Sequence, residues 1–261
     1  MNKLRFALIG CGRISKNHIV ASAENKDICE LVAVCDPVTE RAEQKAAQYE
    51  ELMGVRPAVY ADYKKMLEEM EIDCCAIATE SGYHAEIALY CIQHGKHVLV
   101  EKPMALSTAD AEKMIAEAKA HKVTLGVCHQ NRFNAPIQQL HKALEDGRFG
   151  KLVNGTARIL WNRTMPYYEQ APWRGTWAQD GGTLMNQCIH GIDLLRWMMG
   201  DEIEEIYGAT RQQFHDYLEA EDVGMAVVKF KNGAIGTIEG TTNVYPKNLE
   251  ETLYIFGEKG T

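Results

Sequence analysis

The chain has 261 residues, of which 28 are Lys or Arg and 36 are Asp or Glu, so its formal net charge is −8. This acidic balance, with no long basic run, argues against nucleic acid as a partner, and no apolar stretch is long enough to cross a membrane. Hydrophobic residues form 46% of the chain, enough for one large domain or two ordinary ones, and Met1 leads almost directly into a strand without a secretory signal. We therefore expect a cytoplasmic enzyme that acts on a small molecule.

The first half of the chain alternates strands with helices at short spacing, the pattern of a parallel sheet with helices on both faces. The predicted strands span residues 4–9, 31–35, 58–60, 74–78, 97–100 and 124–128. The predicted helices span residues 14–23, 41–52, 63–70, 84–93 and 107–121. His94-Gly95 ends one of these helices, and the capping-box-like Ser107-Thr-Ala-Asp110 begins the next. Residues 1–129 are therefore predicted to form a doubly wound α/β domain.

From about residue 130 the pattern changes to that of an α+β domain with a mostly antiparallel sheet. Predicted helices span 137–144 and 186–199, and predicted strands span 152–161, 203–210, 224–230, 234–241 and 252–256. Lys231-Asn232-Gly233 is typical of a hairpin turn, because Asn-Gly tolerates positive φ. The segment 162–180 is rich in Tyr, Trp and Arg and is predicted to be a functional loop. The second domain is predicted to span residues 130–261.

A glycine-rich loop, Gly10-Cys11-Gly12, joins the first strand to the first helix. Gly10 permits a tight turn, and Gly12 lets the backbone approach a pyrophosphate at the helix N-terminus, with Ser15 at the third small position. Asp36 closes the second strand, where its carboxylate suits the two hydroxyls of an adenosine ribose and repels a 2′-phosphate. The loop therefore predicts NAD as cofactor. Arg41 leaves NADP open as the less favoured choice, and an ordinary turn aspartate before Pro37 is the alternative for Asp36.

The eight cysteines are interpreted as buried, reduced thiols, because no C-x-x-C pair occurs and most of them lie in apolar strand or helix patterns. His94 and His97 are separated by a glycine at a helix end, which is poor spacing for a zinc pair. We therefore expect no metal site.

Four segments together resemble a known family. They are Gly10-Cys-Gly12, Ala78-Thr-Glu-Ser-Gly-Tyr-His84, Gly95-Lys-His-Val-Leu-Val-Glu-Lys-Pro103, and Gly181-Gly182 leading to His190 and Asp193. Along essentially its whole length the chain resembles the glucose–fructose oxidoreductase / inositol dehydrogenase (Gfo/Idh/MocA) family. The resemblance implies an N-terminal Rossmann domain and a C-terminal domain whose open sheet often mediates oligomerisation. It also implies oxidation or reduction of one carbinol carbon of a sugar or inositol with a nicotinamide cofactor.

Within this family, further segments resemble one branch, the UDP-N-acetylglucosaminuronate 3-dehydrogenases, which oxidise the C3 hydroxyl of a sugar nucleotide. These segments span residues 129–134, 167–168, 173–177, 184–187 and 245–250. Two positions depart from the family pattern: Glu80-Ser81 replaces the usual Pro-Asn, and Asn186 replaces an aspartate. Family members continue for several tens of residues where this chain stops at Thr261, so the resemblance implies an incomplete C-terminal sheet.

Lys102 and His190 are the predicted catalytic residues. Lys102 lies at a strand end beside the predicted nicotinamide, where its amine can take the proton of the reacting hydroxyl, and His190 shares or relays that proton. The residues predicted to contact the cofactor are Gly10, Gly12, Arg13, Ile14, Asp36, Thr79, His84, Glu101 and Lys102. The residues predicted to contact the substrate are Arg132, Tyr167, Tyr168, Arg174, Asn186 and Asp193.

Some of these roles have alternatives. Asp193, three residues after His190, orients the imidazole or pairs elsewhere; Glu101 holds the Lys102 ammonium, contacts a ribose or is structural. Asn186, four residues before His190 on the same predicted helix, is expected to hydrogen-bond substrate without exchanging protons. The rival functions are a dehydrogenase of inositol, a free sugar or another polyol, and a non-catalytic dinucleotide-binding sensor or scaffold. A homo-oligomer, dimer or tetramer, is expected through the C-terminal sheet.

Overall fold

The computed structural model of the protein describes residues 3–200 and 202–261. The chain divides into two compact units, Met1–Cys128 and His129–Thr261. The sequence predicts this division one residue later. Within the described ranges, no helix has both the length and the apolar composition needed to cross a membrane.

The first unit contains a six-stranded, wholly parallel sheet in the order β3-β2-β1-β4-β5-β6. Its strands are β1 Leu4–Ile9, β2 Cys29–Cys35, β3 Ala58–Tyr60, β4 Cys74–Ile77, β5 His97–Val100 and β6 Leu125–Val127. Its helices are α1 Ser15–Glu24, α2 Thr39–Met53, α3 Tyr63–Glu69, α4 His84–Gln93 and α5 Thr108–His121. This strand order is that of a doubly wound dinucleotide-binding sheet, which confirms the predicted fold class.

Both faces of this sheet are covered, so the carboxyl-terminal parts of its central strands are apolar without alternation. All four residues of β4 are buried. On β1, Ala7 and Ile9 pack into the core on one face, while Leu8 packs into the core on the other. The continuous apolar runs in the sequence therefore reflect two separate helix layers rather than one.

The carboxyl ends of the central strands coincide. Ile9 pairs with Ile77, which pairs with Val100, which pairs with Val127. The register continues one residue further, because the backbone N–H of Glu101 donates to the oxygen of Ile77 at 2.9 Å. The loops that follow β1, β4, β5 and β6 therefore leave the sheet at one edge, where such sheets bind their ligands.

The second unit contains a five-stranded sheet in the order β11-β7-β10-β9-β8. Its strands are β7 Leu152–Leu160, β8 Ile203–Arg211, β9 Val223–Phe230, β10 Ile235–Thr241 and β11 Glu250–Gly257. Its helices are α6 Ala135–Glu145, α7 Met165–Tyr168, α8 Gly182–Asn186 and α9 Ile189–Met199. Three of the four strand pairs are antiparallel and the β7–β10 pair is parallel. This agrees with the predicted, mostly antiparallel sheet.

The helix predicted over residues 186–199 is α9, which begins three residues later than predicted, and a separate short helix, α8, precedes it. α8 starts at Gly182, where the N–H of Leu184 donates to a carboxylate oxygen of Glu221 at 2.9 Å. After Asn186 the chain makes a wider turn, in which the Cys188 N–H donates to the oxygen of Thr183. Asn186 and the residues of α9 therefore do not share one continuous helix face, and the predicted i, i+4 relation fails.

Helix α9 packs very closely on one face of the second sheet. A Cβ atom at Gly155 would lie 2.7 Å from the sulfur of Met199 and 3.0 Å from Leu195, so the glycine permits this approach. Ala157 and Ile159, two and four residues further along β7, are buried in the same core. The unit thus has one buried sheet face.

Candidate functional site

The two glycines of the loop after β1 have different surroundings, which suit Gly10 to packing and Gly12 to binding. Gly10 has φ +95°, and a Cβ there would lie 2.6 Å from the carbonyl of Ala78 in the loop after β4. Gly12 is different, because a Cβ there would meet no atom of the described residues within 4 Å. The loop leads into the N-terminus of α1, so the space beside Gly12 is suited to a pyrophosphate. Arg13 and Ile14 follow it and are exposed.

Asp36 is 5% exposed and fixes the shape of this loop. One carboxylate oxygen accepts the N–H of Cys11 at 2.8 Å, and the other accepts the N–H of Val38 at 2.9 Å. Because the carboxylate holds a loop residue as well as its own turn, it is more than a turn aspartate. Its predicted contact with a ribose stays a prediction.

The segment Glu101-Lys102-Pro103 follows β5 and is anchored by a buried histidine. The ring of His84 is 1% exposed, with Nδ1 2.7 Å from the oxygen of Pro103 and Nε2 3.2 Å from the oxygen of Thr79. Burial lowers the pKa of His84, against the opposing effect of the two carbonyls. His84 thus connects the loops after β4 and β5 and holds the backbone that carries Lys102, which is itself half-buried.

Glu101 belongs to a cluster with two residues that sequence reasoning missed. His18 of α1 places Nε2 2.9 Å from a carboxylate oxygen of Glu101, and Cys128 follows β6 at the neighbouring strand end. Burial is the largest single influence and acts to raise the pKa of Glu101, but the interactions with His18 and Lys102 together outweigh it, so the pKa lies below its usual value. Burial raises the pKa of the Cys128 thiol to about 12. Cys128 could have been found from its position after a strand, because ligand sites lie at the carboxyl ends of parallel strands. No sequence signal points to His18.

In the second unit, His190 is the second residue of α9 and is 9% exposed. Its Nε2 atom lies 3.3 Å from Nε2 of Gln130, and its ring meets that of His129 edge-on at 6.0 Å between centroids. The carboxylate of Asp193 accepts hydrogen bonds from Nε and one Nη of Arg132, at 2.7 and 2.6 Å. The structure therefore brings two predicted substrate residues, Arg132 and Asp193, together as an ion pair.

A buried carboxylate lies beside the asparagine that departs from the family pattern. Nδ2 of Asn186 donates to Asp180, and the other oxygen of Asp180 accepts the N–H of Gly175 at 2.7 Å. Asp180 is 1% exposed. The sequence signal for this residue is its place directly before Gly181-Gly182, which both adopt positive φ. Asp180 thereby fixes the orientation of the Asn186 amide.

The predicted aromatic loop is built around Tyr167. The guanidinium carbons of Arg163 and Arg174 lie 5.1 and 4.5 Å from the Tyr167 ring centre, and Arg174 donates to its hydroxyl at 2.6 Å. Arg163 was missed by sequence reasoning. Tyr168 is instead buried, its hydroxyl 3.3 Å from that of Thr242, and burial raises its pKa to about 12. Two positive groups thus flank one half-buried aromatic ring.

The comparisons with known proteins agree with the fold of both units. Residues 4–129 match the oxidoreductase family's NAD-binding Rossmann fold, and residues 137–261 match the GFO/IDH/MocA C-terminal domain. The chain belongs to the Gfo/Idh/MocA oxidoreductase family. Its first unit is therefore an NAD-binding domain, and its homologues are dehydrogenases that act on sugar hydroxyls. The family resemblance seen in the sequence is confirmed, as are the cofactor and the reaction class.

Among similar proteins is the WlbA dehydrogenase of Bordetella pertussis, solved in complex with NADH and UDP-GlcNAcA. It is 40% identical, with a TM-score of 0.90 over 98% of this chain and 76% of that one. The WlbA dehydrogenase of Chromobacterium violaceum, in complex with the same two molecules, is 38% identical, with a TM-score of 0.90 over 99% of this chain and 72% of that one. The myo-inositol 2-dehydrogenase of Thermotoga maritima is 30% identical over 98% of this chain and 74% of its own length.

Proposed function

We propose that this protein is an NAD-dependent dehydrogenase that oxidises the C3 hydroxyl of a UDP-linked N-acetylhexosaminuronate. The observation that carries the proposal is its likeness to the two WlbA dehydrogenases in complex with NADH and UDP-GlcNAcA, which exceeds its likeness to the inositol dehydrogenase. The likeness extends through both units, so it includes the segment that carries Lys102 and the segment that carries His190.

In the first unit, Lys102 is the proposed proton acceptor. Oxidation of a secondary alcohol moves a hydride from carbon to the cofactor and a proton from oxygen to a base. Lys102 follows β5 at the edge where β1, β4 and β5 all end, and this is also the edge of the glycine loop. His84 supports this role by holding the carbonyl of Pro103.

In the second unit, the arginines around Tyr167 suit an anionic sugar nucleotide. Guanidinium groups bind carboxylates and phosphates through paired N–H donors, and an aromatic ring can pack on a sugar or a base. Arg163 and Arg174 both stack on Tyr167, and Arg174 also stacks on Trp173 at 4.7 Å. We propose that this cluster binds the uronate or diphosphate, with Asn186 contacting a sugar hydroxyl.

The second candidate is an inositol or free-sugar dehydrogenase, which the myo-inositol 2-dehydrogenase relative favours. A neutral polyol would not use the positive charge of Arg163 and Arg174. Replacing both arginines by glutamine should therefore reduce activity on a sugar nucleotide strongly and leave activity on an inositol nearly unchanged.

The deciding experiment is a substrate panel with NAD reduction as the readout. UDP-GlcNAcA, UDP-GlcNAc, myo-inositol and simple aldoses are supplied in turn to the purified protein with NAD. We expect reduction with UDP-GlcNAcA and little with UDP-GlcNAc, because only the first carries the uronate. A higher rate on myo-inositol would support the second candidate, and NAD binding without reduction on any substrate would support a non-catalytic sensor.

We also propose that the protein works in the cytoplasm as a homo-oligomer formed through the second sheet. The face opposite α9 carries a row of paired residues, Tyr254, Thr156, Thr237, Val227 and Tyr207. Tyr207, Tyr254 and Val227 are 78%, 46% and 44% exposed in the single chain, and large apolar side chains exposed together on one face mark association surfaces. A second copy of the same sheet would cover them.

A further inference from the structure

The cluster of His18, Glu101 and Cys128 has the composition of a transition-metal site. One nitrogen, one oxygen and one sulfur atom from these side chains lie within 4.8 Å of one another. The three come from separate elements of the first unit: α1, the loop after β5 and the loop after β6. Because the strand ends are in register, the sheet itself sets the spacing between Glu101 and Cys128.

The spacing is close to that of a tetrahedral site. Bonds of roughly 2.0–2.3 Å from zinc to nitrogen, oxygen and sulfur place neighbouring ligand atoms roughly 3.3–3.8 Å apart. The three ligand atoms lie within 4.8 Å of one another, and the 2.9 Å hydrogen bond between His18 and Glu101 is the contact that a bound ion would replace. The side chains of His18 and Glu101 are each 13% exposed, which leaves a route for an ion.

The ligand types select among metals. A thiolate, an imidazole and one carboxylate suit Zn²⁺ or Co²⁺, whereas Mg²⁺ requires mostly oxygen ligands and keeps several waters. Three protein ligands leave a fourth position for water or another small ligand. A structural zinc site would use four protein ligands, so this set resembles an exchangeable one.

We propose that His18, Glu101 and Cys128 form a reversible binding site for Zn²⁺ at the strand-end edge of the first unit. Binding at this site requires neither the proposed substrate nor the proposed reaction, so the two proposals succeed or fail separately.

Cobalt titration tests the proposal directly. The full chain, kept reduced and stripped of metal by a chelator, is titrated with Co²⁺. We expect one Co²⁺ per chain with a thiolate-to-cobalt charge-transfer band, its displacement by Zn²⁺, and no competition from Mg²⁺. Cys128→Ser should abolish the band, and His18→Gln should weaken binding by at least about tenfold. His121→Gln, which alters an exposed histidine of α5, is the matched control and should bind as the parent chain does.

A second measurement needs no variant and is therefore independent of folding defects. Cys128 is half-buried and the other seven cysteines are buried, so iodoacetamide should reach Cys128 first, although its raised pKa makes the reaction slow. Zn²⁺ should slow this modification and Mg²⁺ should not, as read by mass spectrometry of the Cys128 peptide. A cobalt complex without a thiolate band, or alkylation of Cys128 unchanged by zinc, would overturn the proposal.

Discussion

At the scale of single residues, Lys102 is the first side chain to test. Lys102→Ala removes the proposed proton acceptor while leaving the backbone that His84 holds at Pro103. We expect turnover to fall by at least about 10²-fold, the lower range for an acid–base group, with folding and NAD binding retained. Steady-state NAD reduction and a fluorescence titration with NADH measure the two effects.

Lys119→Ala is the matched control, because Lys119 is an exposed lysine in the last turn of α5. Its turnover should equal that of the parent chain. Near-normal activity of Lys102→Ala would remove Lys102 from the mechanism.

Asp36 combines a structural and a predicted binding role, and two variants separate them. Asp36→Ala loses the acceptors for Cys11 and Val38, so we expect a stability loss of about 1–3 kcal/mol together with weaker NAD binding. Asp36→Asn keeps one acceptor oxygen and should cost less stability, but it removes the charge that repels a 2′-phosphate. Thermal unfolding and paired NADH and NADPH titrations report these effects; a parent chain that prefers NADPH would contradict the NAD assignment.

These residues also show what the sequence could and could not predict about the site. Gly10 and Asp36 were found because their chemistry is tied to a local pattern of strand, turn and helix. The Arg132–Asp193 pair and the approach of His18 to Glu101 were not, because each joins residues far apart in the chain through side-chain geometry. No spacing rule links an α1 histidine to a residue after β5.

At the scale of elements, the loop after β1 offers a matched pair of glycines. Gly10→Ala would place a Cβ 2.6 Å from the Ala78 carbonyl at φ +95°, and we expect it to destabilise the first unit by roughly 1–3 kcal/mol. Gly12→Ala meets no described atom within 4 Å, so the fold should be unaffected while NAD binding weakens. Thermal unfolding and NADH titration distinguish the two. Equal stability losses would mean that the loop is not packed as described.

The segment between β8 and β9 predicts a dependence of stability on pH. Burial lowers the pKa of His215, although the carboxylate of Asp222 nearby opposes this, and Tyr168 and Tyr217 pack on its ring. The unfolded chain then takes up this proton more readily than the folded chain. The contribution of neutral His215 to the free energy of unfolding is therefore complete above pH 6.5, the ordinary histidine pKa. It is lost as the pH falls below that value.

His215→Gln cannot titrate, so it should lack this part of the pH dependence. The measurement is thermal unfolding of the parent chain and the variant at about pH 8 and about pH 5.5. The difference between the two slopes of unfolding temperature against pH removes the contribution of every other titrating group. Parallel slopes would show that His215 has the same pKa folded and unfolded.

Most elements were predictable where local signals mark their ends. The helix predicted over residues 84–93 matches α4, because Gly95 ends it, and the predicted cap at Ser107 accepts the N–H of Asp110 at 3.1 Å. The break between α8 and α9 was missed because no glycine or proline marks it in the sequence; it is seen only in the backbone, where the N–H of Cys188 donates to the oxygen of Thr183. The parallel pairing of β7 with β10 has no local signal either.

At the scale of the whole molecule, the open face of the second sheet predicts association. Val227→Lys puts a charge into the row that includes Tyr207 and Tyr254, so we expect the oligomer to dissociate to monomers. Light scattering coupled to size exclusion measures the mass. Ile115→Lys, on an exposed position of α5 in the first unit, should leave the mass unchanged. A parent chain that is already monomeric would contradict the proposal.

The strand order of the second sheet also determines when each strand can pair with its neighbours during synthesis. β7 lies between β10 and β11, and both are made after it, whereas β8 pairs with β9 and β9 with β10, each antiparallel to the strand made just before it. As the chain leaves the ribosome, the first unit can fold as soon as β6 is out, but β7 must wait with both edges open. Unpaired apolar strands of this kind are where nascent chains aggregate. We therefore expect the nascent chain to be most prone to aggregation between the emergence of β7 and that of β11.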